Sequence, residues 1–320
     1  MANFASSQDT VVRAMPFKEN LNISAVRTAA LALGLAVFLP VSSAAAQSQR
    51  PDDLIPSGWH VFPTSDFQNL DAKTGGCFNH SQNEWRVTND GGGVAITKIE
   101  QRKRTGLANP DLPSFPPLLK HEEGMPGRTA TDGWKIAMRF EKGWLLGYDA
   151  GEFGGGMWLT NEDGSKAAHI LSDNIRAIVS MDGGILVLTG LAHMDMDYGN
   201  AFFFSNPEGL TISLQRTVHL DGQPGPHTKE PDGSVLFVTT VGLSRITKSR
   251  ELQRLALLPE WISFQGPNSM AIASDGSVFV GMRMGVMKLQ NDSGKYNEEW
   301  LLPNECKAFF LAQSDCTCTP

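Results

Sequence analysis

The chain has 320 residues, 27 basic against 34 acidic, with a net charge of −7 and a pI near 5.5. An acidic balance of this size disfavours a nonspecific hold on nucleic acid or on an anionic membrane surface. Apolar residues make up 41% of the chain, enough for a sizeable core, and the length suits one large all-β domain.

The N-terminal region comes first because it changes what counts as fold. Ala29–Val41 is an uncharged apolar run, preceded by Lys18 and Arg27. Ser42-Ser43-Ala44-Ala45-Ala46 follows it, and then Gln47-Ser48-Gln49. Charged flank, apolar centre and an Ala-x-Ala end form a secretory signal, with Met15 as an equally good start. Residues 1–46 are therefore expected to be removed and 47–320 to form the mature domain. The rival reading is a buried helix. The run falls short of the about 20 apolar residues that span a bilayer. No Cys follows it to carry a lipid, and no second stretch is long enough to cross a membrane. A periplasmic or extracellular monomer without a membrane anchor is expected.

Downstream, a turn-and-strand unit recurs. Asp90-Gly91-Gly92-Gly93 opens the strand Val94–Ile96, with Trp85–Thr88 before the turn. Asn109–Pro117 is Pro-rich and reads as an insertion loop, since Pro denies donors to a sheet. The unit returns as Lys135–Phe140 before Glu141-Lys142-Gly143, and as Ile175–Ser180 before Asp182-Gly183. Its clearest copies come last. Asp232-Gly233-Ser234-Val235-Leu236-Phe237-Val238 leads to Gly242–Ile246, and Asp275-Gly276-Ser277-Val278-Phe279-Val280 leads to Gly285–Leu289. Asp-Gly between apolar runs signals a hairpin, because the turn needs a positive φ.

This spacing fits four-stranded propeller blades of roughly 40–45 residues. Lys307–Ala312 followed by Ser314-Asp315 looks like a further first strand and turn, which Gly58–Phe62 could complete. The fold expected is thus all-β, a single β-propeller of six blades of four antiparallel strands, the last completed by both termini. A β-sandwich or solenoid with similar turns is the alternative.

The runs Asp232–Ile246 and Asp275–Leu289 resemble the propeller repeats of two-component-regulator sensors and NHL-type proteins. That resemblance implies the fold and a habit of binding ligands at the channel. Gly266-Pro267-Asn268 through Gly281 also resembles a metal-binding blade of the regucalcin and gluconolactonase hydrolases, with Gly281 and Met282 where those carry an acid. The similarity to streptogramin lyases is of the same repeat-level kind.

Gly225-Pro226-His227 and Gly266-Pro267-Asn268 stand at matching places before their turns. Glu84, Asn174 and Asn304 or Glu305 stand at roughly corresponding ones. His227, Asn268, Asn174 and Glu84 are therefore the candidate ligand-binding set at the channel mouth, with strand capping as the bland reading. His193-Met194-Asp195-Met196-Asp197 would put His193, Asp195 and Asp197 on one face of a strand. Calcium or another divalent metal is the cofactor this could hold, and a solvated turn is the alternative. The twelve methionines form no copper-type cluster and read as core filler.

Cys77, Cys306, Cys316 and Cys318 fit two disulfides, with three pairings open; a thiolate site at Cys316-Thr317-Cys318 is the rival. Two function classes follow. One is a propeller that binds a small molecule, a glycan or an exported protein at the mouth. The other is a lactonase-like hydrolase or lyase working there. The exported protein should begin at or near Gln47; intact-mass analysis checks this, and a full-length cytoplasmic chain would refute it.

Overall fold

The computed structural model describes residues 55–63, 84–90, 93–99, 134–258, 266–283 and 285–303, all within the compact unit Ala46–Pro320. The Pro-rich loop, all four cysteines and residues 304–320 lie outside them.

After β1 (Trp59–Pro63) comes a hairpin of β2 (Glu84–Asp90) and β3 (Gly93–Ile99). A second sheet follows in chain order: β4 (Trp134–Phe140), β5 (Gly143–Asp149), β6 (Gly155–Asn161) and β7 (Ala167–Leu171). The third holds β8 (Ile175–Met181), β9 (Gly184–His193), β10 (Met196–Phe204) and β11 (Leu214–Leu220). The fourth holds β12 (Pro224–Lys229), β13 (Val235–Thr239), β14 (Gly242–Ile246) and β15 (Leu252–Leu257). In the last sheet, β16 (Ser269–Ile272), β17 (Val278–Gly281), β18 (Val286–Asp292) and β19 (Lys295–Pro303) are joined by β1 on the outer edge.

The repeat holds at the level of atoms. Asp232 accepts from the Ser234 amide at 2.8 Å and its hydroxyl at 3.0 Å, and Asp275 accepts from the Ser277 amide and hydroxyl, both at 2.9 Å. Gly233 and Gly276 take φ of 91° and 84° in these turns, where a side chain would be strained. The second strands β5, β9, β13 and β17 are mostly apolar and buried, as in Val235–Thr239, because both their faces are covered. Outer strands such as Leu214–Leu220 and Leu252–Leu257 are mostly open to solvent and carry the polar residues.

Cores lie between sheets. Leu145, Leu159, Ile175 and Val187 join the second sheet to the third, and Leu186, Phe203, Val235 and Phe237 join the third to the fourth. Leu236, Met270, Val280 and Trp300 join the fourth to the last. Trp85, Val87, Ala271 and Phe279 then join the last sheet to the first hairpin. The first strands themselves meet in the order β4, β8, β12, β16, β2. Arg176 and Ser180 on β8 lie level with Pro224 and Lys229 on β12, so these two strands run parallel side by side. Four-stranded antiparallel sheets set face to face around adjacent first strands are the architecture of a β-propeller.

The joint between the last sheet and the first hairpin is direct: β2 packs on β16 and β17 as β8 packs on β4 and β5. The sixth blade expected here was read on 307–315, which lie outside the described residues. The N-terminal strand was expected to complete a blade begun by 307–312, which lie outside the described residues; Trp59–Pro63 pairs antiparallel with Glu299–Pro303.

Glycine permits these joints. A Cβ on Gly147 would stand 2.6 Å from Ile175 Cγ2, and one on Gly281 would stand 2.5 Å from the Trp85 carbonyl oxygen. Gly281→Val should therefore destabilise by about 1–3 kcal/mol or more, as overpacking does. A lower denaturant midpoint at unchanged slope would show it; a midpoint equal to the parent's would contradict the close approach.

Candidate functional site

First strands begin, and second strands end, at one end of the sheets. At the second-to-third joint Arg176, the second residue of β8, pairs with Asp149 at the end of β5. Its Nε also donates to the Pro224 carbonyl at 3.2 Å, so one guanidinium ties three consecutive sheets. The other Asp149 oxygen accepts from the Gly151 amide at 2.8 Å. Asp149 is 8% exposed, and pairing with hydrogen bonds is the condition for burying such a charge.

Beside it, Asp173 accepts from the Asn174 amide at 2.8 Å, Thr189 Oγ1 at 2.6 Å and Tyr198 Oη at 3.1 Å. Partial burial, and then the Asp173 charge, raise the Tyr198 phenol above its ordinary pKa, so it stays a donor. Asn174 lies just before β8. Its backbone carbonyl accepts from the Gly190 amide at 3.1 Å, and its Nδ2 donates to the Gly151 carbonyl at 3.0 Å. Its Oδ1 is buried with no hydrogen-bond partner.

At the third-to-fourth joint Asp197 accepts from the Gln223 amide at 2.8 Å and Thr240 Oγ1 at 2.6 Å. At the last-to-first joint Asn268 Nδ2 donates to Glu84 Oε1 at 3.1 Å and to the Trp85 carbonyl at 3.0 Å. Ser269 Oγ donates to Asn268 Oδ1 at 2.7 Å and accepts from the Val87 amide at 2.9 Å. Trp85 N donates to the Met282 carbonyl at 2.9 Å.

Three of the four residues read as a mouth set, Glu84, Asn174 and Asn268, do stand at first-strand starts, and two of them touch. His227 does not match Asn268. It sits inside β12 opposite Phe237, whereas the residue at the same level of β16 is Met270, opposite Val280. His227 stands five residues before Asp232 but Asn268 seven before Asp275, so equal Gly-Pro-x spelling does not give equal position. Burial holds the His227 imidazole below its ordinary pKa, and no hydrogen-bond partner is recorded for it among the described residues.

The metal reading of 193–197 also changes. Met194 and Asp195 form a hairpin tip, with Met194 at φ 52°, so the strand alternation assumed for the three ligands breaks there. His193 turns to Glu152, and Asp197 turns to the fourth sheet. Among the described residues no group of three or more His, Cys, Asp or Glu is placed to hold a metal ion. Two methionines read as core filler are exposed here: Met194 at 90% and Met196 at 50%. The missing acid at 281–282 has a physical cause. Met282 is fully buried, and Gly281 lies against the β2 backbone.

A depressed His227 pKa has a pH signature. The unfolded chain takes up the proton first, near pH 6.5, so neutral His227 contributes stability that is full above that value. It is lost as pH falls from there to the folded value. The stability gap between the parent and His227→Gln should therefore shift against the parent between about pH 7.5 and 5.5. Urea midpoints at both values check this, and a pH-independent gap would contradict it.

No family model matches the sequence, and no curated protein matches it. Among solved structures the chain is similar to the major allergen Mala s 1 of Malassezia sympodialis, at 6% identity and a TM-score of 0.37 over 51% of this chain and 63% of that one. It is similar to a gluconolactonase of Xanthomonas campestris at 16% identity and 0.32, over 50% and 58%. It is also similar to virginiamycin B lyase of Staphylococcus aureus at 11% identity and 0.37, over 75% and 87%. The chain spans less than two thirds of the length of the allergen and of the gluconolactonase. At these scores no activity follows from the likeness.

Proposed function

We propose that this is an exported β-propeller that binds a small molecule, a glycan or another exported protein where its first strands meet. The export reading rests on Ala29–Val41 and the Ala44-x-Ala46 end. In this reading the blades form a ring in which β16 meets β2 and β1 returns the N-terminal strand to the last sheet. The carrying observation is His227. Many polar side chains at the first-strand end are bound across a joint, while the partly buried imidazole inside β12 keeps one donor and one acceptor unspent. A ligand that fills both gains selectivity, because an unmet buried polar group costs about 1–3 kcal/mol. The second reading, a lactonase-like hydrolase, would use the same imidazole as a general base.

Sugar lactones and oligosaccharides, chosen for the resemblance carried by Gly266–Gly281, separate the two readings. Binding is read as a thermal shift and turnover as acid release. A ligand-induced shift without turnover, abolished in His227→Ala, supports the binder; turnover abolished in His227→Ala supports the hydrolase. Asn268→Ala should instead lower the melting temperature by roughly 4–8 °C per kcal/mol lost for a small domain and less for one this long. Binding that survives His227→Ala would remove this site from both readings.

A further inference from the structure

The hairpin tip between β9 and β10 has a chemistry that no joint consumes. His193 and Met196 are direct cross-strand partners, which brings their Cβ atoms to about 4.5–5.5 Å on one face. Met194 stands between them at the tip, 90% exposed, and Met196 is 50% exposed. Exposure of two neighbouring thioethers is contrary to the residue's use elsewhere in this chain, where Met157, Met282 and Met287 are fully buried. His193 Nδ1 lies 3.3 Å from Glu152 Oε2, on the short 3-10 turn Gly151–Phe153 that packs against β9. A ring nitrogen facing a carboxylate is the protonated one, which turns the lone pair of Nε2 outward. A carboxylate behind an imidazole is the arrangement that orients metal-bound histidines.

We propose that this tip binds a soft monovalent cation, copper(I), through His193 Nε2 and the thioethers of Met194 and Met196, with Glu152 as a positioning residue. Thioether sulfur selects copper(I) over hard cations, and imidazole suits copper as well. Among the described residues no group of three or more His, Cys, Asp or Glu gathers at the tip, so calcium would not find its six to eight oxygen ligands there. The site is separate from His227 and stands whether or not that residue binds a ligand.

The test uses silver(I) nitrate in chloride-free buffer, silver being a redox-inert stand-in of the same electron configuration. The full exported chain carries methionine labelled with 13C in the methyl group, and any reduced cysteines are alkylated first. The first equivalent of silver should move two methyl signals, the two that are missing from Met194→Leu/Met196→Leu. That variant keeps volume and apolar character at exposed positions, so its melting curve should match the parent's. Glu152→Gln should weaken silver binding on the order of 10–100-fold while leaving both thioethers in place. If those two signals stay still, or the double variant binds silver as tightly as the parent, the proposal is overturned. Calcium chloride in place of silver should move neither signal; a calcium-induced shift of both would equally overturn the soft-ion assignment.

Discussion

The first strands β8, β12 and β2 lie across bare backbone of the neighbouring sheet, and the rest of the structure depends on that close approach. Gly147, Gly190 and Gly281 mark the crossings: added Cβ atoms would come within 2.6 Å of Ile175, 2.8 Å of Pro224 Cδ and 2.5 Å of the Trp85 carbonyl oxygen. Once two backbones are this close, their polar groups leave water and must find partners. Trp85 N finds the Met282 carbonyl, Val87 N finds Ser269 Oγ, and Gln223 N finds Asp197. Apolar residues then close cores at four joints, from Leu145 and Ile175 between the second and third sheets to Phe279 and Trp85 between the last sheet and the first hairpin.

This requirement competes with function for the same side chains. Carboxylates at the first-strand end would serve as bases or ligands only if their lone pairs faced open space. Asp149 and Asp197 accept hydrogen bonds across joints, Asp173 accepts three within its own sheet, and Glu84 accepts from Asn268. Withdrawing any of them for chemistry would leave buried donors unmet. Reactive capacity is therefore left where no crossing passes, at mid-strand His227 and at the tip of the β9–β10 hairpin.

Local structure was legible in the sequence wherever a turn dictates it. Asp232-Gly233-Ser234 and Asp275-Gly276-Ser277 announced strands that the structure places on both sides, because carboxylate, glycine and serine hydroxyl fold that turn by themselves. The same chemistry is common to many propellers, which is why it does not single out one family. Position across the sheets was less legible. Asn268 and Glu84 are 184 residues apart, and only the meeting of the last sheet with the first brings them together. His227 was misplaced because the shared spelling Gly-Pro-x was weighed above its distance to the turn, five residues before Asp232 against seven before Asp275 for Asn268. The single face expected for His193, Asp195 and Asp197 required an extended chain, and Met194 is in the left-handed region. Methionine gave no warning of exposure, as its side chain is apolar by composition wherever it stands.

The hairpin tip shows how holding and binding can share one element. Three residues below Met194, Asp197 is fixed to the fourth sheet through Gln223 and Thr240, and Tyr198 is fixed to Asp173 within its own sheet. Further down, Gly190 and Gly199 face each other under Pro224, where the backbones leave no room for movement. The base of the hairpin is thus clamped while its last residues stand clear in solvent. A donor set on such a stem is held by strands rather than by a free loop, so less conformational freedom is lost when a ligand arrives. Changes at positions 194 and 196 leave the clamp untouched, because no joint hydrogen bond originates there. Chemistry at the tip can vary without loss to the fold, and that independence follows from the crossings themselves.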